Sequence, residues 1–318
     1  MHRLVIFALL CAFGLSVLGP TPAHAQATRT WVSGNGNDVN PCSYTSPCKT
    51  FAGAISKTVI NGEINCIDSG AYGTVTITKS ITIDCHDVFA SILAGGANPT
   101  HGIVVSISAG NANDPLRTVR IRNINITGAG INGTVGTRTG INGIIITQAA
   151  AVFIEDVLIT DFTQIGIRDN RNSNGSLVVK NTIVRNNGSI GIQVVPAVGS
   201  IVSATIDNSQ SNLNAHGLVV ANGSKAMVNR SVFSGNLGSG IDAEATSEIN
   251  VNESVSSFNA TGIQASGTAR LANSDIAFNG TGMTGTPFSF GNNRVSGNAT
   301  AGAAPSPMGA AAEALGQE

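Results

Sequence analysis

The chain has 318 residues, of which only 11% are charged, and its 17 basic and 18 acidic residues give a net charge of −1. No block of basic residues occurs, which argues against a nucleic-acid partner. The length suits one elongated domain better than two globular ones.

Residues 1–25 have the pattern of a secretion signal. Arg3 supplies a positive start, Leu4–Leu18 is an apolar stretch, and Ala-His-Ala at 23–25 is a small-x-small cleavage motif. No later segment has 18 consecutive apolar residues, so we expect no transmembrane segment. The sequence predicts a protein that is secreted, periplasmic or at the cell surface after cleavage near Ala25.

Four cysteines remain after that cleavage, an even number in an oxidising compartment, and three pairings are possible. Cys66 and Cys85 lie in the similar segments INCID and IDCHD. If these segments are neighbouring turns of a repeat, the two thiols lie at the strand spacing of about 4.8 Å, within disulfide reach. The spacing favours Cys66–Cys85 and leaves Cys42–Cys48 to close a small loop. A metal site built from the four is the alternative, which export disfavours.

The segment between the two cysteine pairs predicts an amphipathic helix. Ser46 is placed to cap it and Pro47 fits the first helical position. Four apolar residues fall on one face of this helix: Phe51, Ala54, Ile55 and Val59. Because an open stack of repeats exposes its apolar end, we expect residues 26–60 to form an N-terminal cap.

The same region carries a longer motif. It runs aromatic-V-S, G-x-D-x-N-P, P-x-K-T-[aliphatic or aromatic]-x-x-A-I, G-[DE]-x-I and G-x-Y. The matching residues are Trp31, Gly36, Asp38, Asn40, Pro41, Pro47, Lys49, Thr50, Phe51, Ala54, Ile55, Gly62, Glu63, Ile64, Gly70 and Tyr72. This segment resembles the beginning of secreted right-handed parallel β-helix proteins of the pectate-lyase-like superfamily.

That resemblance implies a right-handed fold and, for the enzymes of the group, action on polysaccharides that contain uronate. Such lyases typically use Ca²⁺ held by carboxylates with an Arg or Lys base, and such hydrolases use several aspartates. Neither set is recognisable in this sequence, so Ca²⁺ is expected only if the protein is a lyase.

Residues 86–150 are less regular than the rest. The segments 98–118 and 127–140 are rich in Gly, Asn and Thr and predict loops that interrupt a repeating structure. Long loops of this kind can wall a binding groove.

Residues 177–283 repeat one pattern five times. Each copy has two apolar residues separated by one variable residue. A polar pair, an Asn and a closing Gly-aliphatic pair follow. The closing glycines are spaced by 26, 23, 22 and 20 residues: Gly191, Gly217, Gly240, Gly262 and Gly282. The alternation is typical of strands, and a repeat of this length predicts one turn of a parallel β-helix. We expect an all-β fold, a parallel β-helix of about 9–10 turns over residues 61–298, followed by a disordered tail at 299–318.

Stacking of such turns places one residue type above itself. It predicts a column of asparagines: Asn187, Asn214, Asn236, Asn259, Asn279 and Asn298. It also predicts a hydroxyl column: Thr182, Ser209, Ser231, Ser254 and Ser274. Because amide and hydroxyl ladders satisfy the backbone of turns, we interpret both columns as structural.

Polar residues that follow the Gly-aliphatic pairs mark a candidate ligand-binding face. Its members are Arg168, Gln193, Asp242, Glu244 and Gln264. They suit a sugar- or cation-binding patch, but a plain solvated face is the favoured interpretation. His216, in the sequence NAHGL, resembles the G-H-G motif of polygalacturonases but lacks their accompanying aspartate motifs, so a turn residue is the simpler interpretation.

A second outward row, ahead of the polar pair, is largely apolar. It contains Arg120, Phe153, Val178, Thr205 and Met227.

The sequence leaves three functions open. They are a non-catalytic protein that binds polysaccharide or another extracellular partner, a polysaccharide lyase or glycoside hydrolase, and a surface adhesin or spacer.

Overall fold

The computed structural model describes residues 26–96, 100–130 and 138–308. The predicted signal and parts of both predicted loops lie outside these residues. The described chain forms an all-β solenoid of about ten turns, built from three parallel sheets and a single helix. It contains no helix long and apolar enough to cross a membrane.

The three sheets are called A, B and C. Each full turn of the chain contributes one strand to sheet A, then one to sheet C and then one to sheet B. Sheet A contains β1 (Ala27–Val32), β2 (Thr58–Cys66), β5 (Ile81–Asp84), β8 (Thr118–Arg122), β11 (Ala151–Glu155), β14 (Gly175–Lys180), β17 (Val202–Asp207), β20 (Lys225–Asn229), β23 (Glu248–Asn252), β26 (Thr268–Ala272), β29 (Phe288–Ser289) and β32 (Ser306–Pro307). Sheet B contains β4 (Val75–Ile77), β7 (Ile103–Ser106), β10 (Ile144–Gln148), β13 (Ile167–Asp169), β16 (Ile190–Val194), β19 (His216–Val220), β22 (Ser239–Ala243), β25 (Thr261–Ala265), β28 (Thr281–Gly285) and β31 (Thr300–Gly302). Sheet C contains β3 (Gly70–Ala71), β6 (Ala90–Leu93), β9 (Asn125–Thr127), β12 (Leu158–Thr160), β15 (Ile183–Arg185), β18 (Gln210–Asn212), β21 (Val232–Ser234), β24 (Val255–Ser257), β27 (Asp275–Ala277) and β30 (Arg294–Ser296).

Alternation along the strands fills the interior with aliphatic side chains. In β14, Leu177 and Val179 are fully buried, whereas Val178 between them faces outward. The partner residues of neighbouring strands share the same face, so buried positions stack over buried positions along the whole solenoid. The predicted parallel β-helix is confirmed.

The asparagine column lies in the turns between sheets C and B. The Asn236 side-chain oxygen accepts the backbone N–H of Asn214 at 3.0 Å, and its Nδ2 donates to Asn259 Oδ1 at 2.9 Å. The same pattern recurs from Asn187 to Asn298. The hydroxyl column forms equivalent bonds, such as Ser209 N–H to Ser231 Oγ at 3.2 Å. The structural interpretation of both columns is confirmed.

Helix α1 (Phe51–Lys57) begins later than expected. Thr50 is its N-cap and accepts the Gly53 N–H at 2.9 Å. The predicted start at Ser46 and Pro47 is wrong, because Ser46 N–H bonds Ser43 in the loop that the Cys42–Cys48 disulfide closes. Val59, predicted on the helix, lies in β2.

Two buried residues, Phe51 and Ala54, attach α1 to the first turn. The Phe51 and Tyr72 ring centroids lie 5.3 Å apart. The function of this helix as a cap remains a prediction. The structure also joins Cys66 to Cys85, with a Cα–Cα distance of 4.8 Å, which is the spacing of neighbouring turns.

Two boundaries differ from the sequence prediction. The segment 98–118, expected to be a loop, contains β7, which pairs with both β4 and β10 in sheet B. The stack continues beyond residue 298 through β31 and β32, so the predicted tail began too early. Residues 309–318 lie outside the described part.

Asn236→Ala tests the asparagine column. Because Ala accepts no hydrogen bond, the buried Asn214 N–H would lose its partner, and we expect the free energy of unfolding to fall by about 2–4 kcal/mol. Urea unfolding followed by circular dichroism measures this change. Asn250→Ala, on the outer face of sheet A, is the control, with an expected loss of about 0.5 kcal/mol. Equal losses would contradict a structural role for the column.

Candidate functional site

The outward side chains of sheet B form one continuous row, here called the outer row. Register pairing aligns Thr76, Val104, Ile145, Arg168, Gln193, Val219, Asp242, Gln264 and Thr284. Four of the five predicted candidates are therefore brought together, and the fifth, Glu244, follows just beyond the end of β22. Since strands are about 4.8 Å apart, the Arg168 and Asp242 backbones are separated by roughly 14 Å.

Asp242 is the most perturbed acid of this row. It is only 6% exposed, and its Oδ1 has no hydrogen-bond partner among the described residues. Burial, together with the nearby negative charge of Glu244, raises the pKa of Asp242 to about 6. Its neighbours in the row are Val219 and Gln264, so a carboxyl group lies beside one apolar and one amide side chain.

His216 does not join this row. Its Nδ1 accepts the Ser239 N–H at 3.2 Å and lies 2.8 Å from the Ser239 hydroxyl oxygen. Because Nδ1 is thereby an acceptor, the neutral ring carries its proton on Nε2. The predicted turn position is wrong, because His216 is the first residue of β19 and pairs with Ile190. Since Ser239 is buried, the contact holds the two strands together and gives His216 a structural role.

A groove at the N-terminal end of sheet B contains residues that the sequence analysis did not select. Its volume is about 560 Å³, and it is lined by residues of α1, of the strands β4 and β7, and of the segments before β7 and β10. His101 and Val104 line it, and Val104 belongs to the outer row. The groove therefore continues the candidate face toward the helix.

His101 could have been found from one signal, the dipeptide His-Gly that it shares with His216–Gly217 at the same point of the repeat. The irregular spacing of residues 86–150 obscures Asn142, whose side chain contacts His101. It also obscures the proximity of His101 to Arg168, a predicted candidate whose positive charge acts on His101.

The hydrogen bonds of Asn142 determine the state of His101. Asn142 Oδ1 accepts the Ile165 N–H at 3.1 Å, so its Nδ2 group must face His101 Nδ1, 3.2 Å away. His101 Nδ1 is then an acceptor, and Nε2 carries the proton. Burial and the charge of Arg168 both lower the pKa of His101, and no described carboxylate offsets them. At neutral pH His101 is an uncharged donor.

Arg168 adds a second donor beside His101. Its Nε is buried and has no hydrogen-bond partner in the described part of the chain. Asp169, the next residue, faces inward and binds Arg171 instead, with Oδ1 2.8 Å from Nε. At this end of the outer row, Arg168 Nε and His101 Nε2 are therefore donors for which the described residues provide no acceptor.

A calcium site is not supported by these residues. Ca²⁺ takes 6–8 oxygen ligands, usually including several carboxylates. The described residues contain no cluster of three or more His, Cys, Asp or Glu able to hold a metal ion. The Asp242–Glu244 pair alone does not fit.

Asp242→Asn tests the electrostatics of the site. As pH rises from about 4 to 6, the unfolded chain releases this proton before the folded chain does. The free energy of unfolding of the wild type should therefore fall by roughly 2 kcal/mol relative to that of the variant, and the difference between the two should then stay constant. The variant should lack this decline and be more stable than wild type at pH 8. Urea unfolding at several pH values measures both. Asp87→Asn, at an exposed carboxylate, is the control and should show the same decline as the wild type. If Asp242→Asn also showed this decline, the assignment of the raised pKa to Asp242 would be refuted.

Comparison with known proteins identifies the family. A family model described as "Right handed beta helix region" matches residues 142–304, slightly more than half of the chain. No curated protein sequence matches.

Three solved structures share the fold. Pectate lyase Pel9A has a TM-score of 0.58 and 16% identity, over 89% of this chain and 80% of its own. Tailspike protein 2 from the Escherichia coli O157:H7 bacteriophage CAB120 has a TM-score of 0.54 and 14% identity, over 75% of this chain and 35% of its own. The A-module of the Azotobacter vinelandii mannuronan C-5 epimerase AlgE4 has a TM-score of 0.52 and 12% identity, over 75% of this chain and 80% of its own. At these identities the likeness is one of fold, and the chain belongs to the right-handed β-helix family.

Proposed function

We propose that the protein is secreted or held at the cell surface and binds an acidic polysaccharide along the outer row of sheet B, without cleaving it. The donor pair His101 and Arg168 carries this proposal. Two disulfides fit an oxidising compartment, and the structural neighbours include a pectate lyase, a tailspike and an epimerase that acts on mannuronan.

The ligand class follows from hydrogen-bond chemistry. A partly buried guanidinium whose Nε lacks an acceptor is satisfied best by an anionic oxygen, and arginine binds carboxylates with two donors. His101 Nε2–H supplies another donor near it. A sugar acid offers such a carboxylate, and the groove beside Val104 has room for a ring.

The same geometry argues against catalysis by His101. A base that removes a proton from a sugar needs a free lone pair. The lone pair of neutral His101 lies on Nδ1 and is used by Asn142, whose own orientation the Ile165 N–H fixes. Binding without turnover is therefore the function this end supports best.

Glycoside hydrolysis is the second candidate, favoured by the pKa of Asp242. A carboxyl group with a pKa of about 6 is suited to donate a proton, and Glu244 lies two residues away. The charge of Glu244 acts on Asp242, so the two residues supply the pair of neighbouring carboxyl groups that glycosidases use.

The adhesin hypothesis rests on the apolar row of sheet A. Arg120 lies over the Phe153 ring, with its guanidinium carbon 4.0 Å from the ring centroid. This cation–π contact covers part of the row with the protein's own charge, which weakens its case as an apolar docking surface.

Arg168→Ala tests the proposed function. We expect polygalacturonate to bind the wild type and to bind the variant at least about tenfold more weakly, because a charge-assisted contact is lost. Calorimetric titration measures the affinity. Arg185→Ala, an arginine on the outer face of sheet C, should bind as wild type does. Equal affinity of all three proteins would refute the site, and saturable binding to a protein surface but to no glycan would favour the adhesin.

An activity assay separates binding from turnover. The wild type incubated with polygalacturonate, with and without Ca²⁺, should give no ultraviolet absorbance from unsaturated ends and no new reducing ends. New reducing ends that form without ultraviolet absorbance and disappear in Asp242→Ala would establish the hydrolase. A Ca²⁺-dependent rise in absorbance would establish a lyase and overturn the non-catalytic proposal.

A further inference from the structure

Seven successive turns between sheets C and B contain one residue with a left-handed backbone, φ 57° to 68°. Four of them suit that conformation: Asp161, Asn186, Gly235 and Gly297. The other three are bulky and apolar: Leu213, Phe258 and Phe278. The turn does not require an aromatic residue, and its geometry disfavours one.

Burial does not explain the two phenylalanines. Phe258 and Phe278 are 64% and 60% exposed. Two bulky residues are thus kept in a disfavoured backbone conformation while most of their surface faces solvent. Local strain of this kind is concentrated at functional sites, so the observation calls for a ligand.

The two rings form one ordered surface. Their centroids lie 5.4 Å apart and their planes differ by only 13°. A Cβ added to Gly297, on the next turn, would lie 2.7 Å from Phe278 Cε1. Glycine at 297 therefore leaves space for the Phe278 ring, because a larger side chain there would collide with it.

A pair of hydrogen-bonded hydroxyl groups lies in the strand on each side of the ring pair, although Ser257 of the first pair is largely buried. In sheet C, Ser257 Oγ donates to Ser234 Oγ at 3.3 Å. In sheet B, Thr300 Oγ1 donates to Thr281 Oγ1 at 3.1 Å. The charged residues on the adjoining strands, Asp275 and Arg294, bind each other. The surroundings of the rings are thus polar, but their local charges are paired.

We propose that Phe258 and Phe278 form a second glycan-contact site, which stacks against an uncharged pyranose ring. A sugar ring has an apolar C–H face and a rim of hydroxyls, which matches aromatic rings with hydroxyl pairs on the strands to either side. An apolar protein partner would leave the remaining hydrogen-bonding capacity of those hydroxyls unused, and an acidic sugar would find no unpaired cation on the described strands that adjoin the rings. The proposal rests on the proposed glycan-binding function and adds a ligand class at a separate corner of the solenoid.

Affinity electrophoresis tests this site. The purified wild type is run in native gels containing glucan, galactomannan, xylan or polygalacturonate. We expect retardation by at least one uncharged glycan, and a loss of affinity of about tenfold or more in the double variant Phe258→Asn with Phe278→Asn. Retardation by polygalacturonate should be unchanged. Phe278→Tyr should retain binding, since its ring can still stack.

Two controls separate a binding role from a structural one. Phe89→Ser removes another 64% exposed phenylalanine and should bind as wild type does. Because asparagine tolerates a positive φ, the double variant should have a melting temperature equal to or above that of wild type.

Four results would overturn the inference. In the first, the double variant binds uncharged glycans as wild type does. In the second, the double variant loses retardation in all gels and melts lower, which assigns the rings a structural role. In the third, wild type binds polygalacturonate but no uncharged glycan, so that the proposed function survives alone. In the fourth, wild type binds no glycan, and both proposals fail.

Discussion

In-register pairing between successive turns is the constraint on which this structure depends. Every strand of the three sheets pairs in parallel with the same strand of the next turn, about 4.8 Å away. A residue therefore meets its equivalent above and below, and side chains are arranged as columns. In the interior the columns are aliphatic. At the corner between sheets C and B the column consists of asparagines, and each side-chain oxygen accepts the backbone N–H of the asparagine one turn earlier. A substitution in one turn therefore affects the equivalent residues of the turns before and after it.

The same constraint explains which features a sequence reveals. Once the period is known, in-register stacking converts sequence spacing into spatial contact, so the asparagine column and the outer row follow from counting residues. Helix α1 lies before the repeat, so its position cannot be derived from the spacing of repeated residues. Its start was misplaced because Ser46 and Pro47 form a plausible capping motif, while the disulfide between Cys42 and Cys48 holds them in a loop and leaves Thr50 to cap the helix.

The candidate site was accessible only in part for a related reason. Register identifies which side chains face outward, but exposure depends on the surroundings. Asp242 faces outward and is nevertheless buried, which the alternation of β22 could not indicate. His101 and Asn142 precede strands whose spacing is broken by insertions, so no period connected them with Arg168. Their contact depends on side-chain reach, and the Ile165 N–H that orients Asn142 is a backbone detail without a sequence signal.

The two ends of the outer row differ in a way that would orient a bound chain. At one end, Arg168 and His101 present donors. Roughly three strands away, Asp242 and Glu244 present carboxyl groups and no cation among the described residues pairs with them. If the proposed function holds, an acidic polysaccharide would be attracted to the first end and repelled by the second. Because the pKa of Asp242 is about 6, this repulsion weakens as pH falls below that value. The outer row therefore has a polarity whose strength depends on the ionisation of one buried acid.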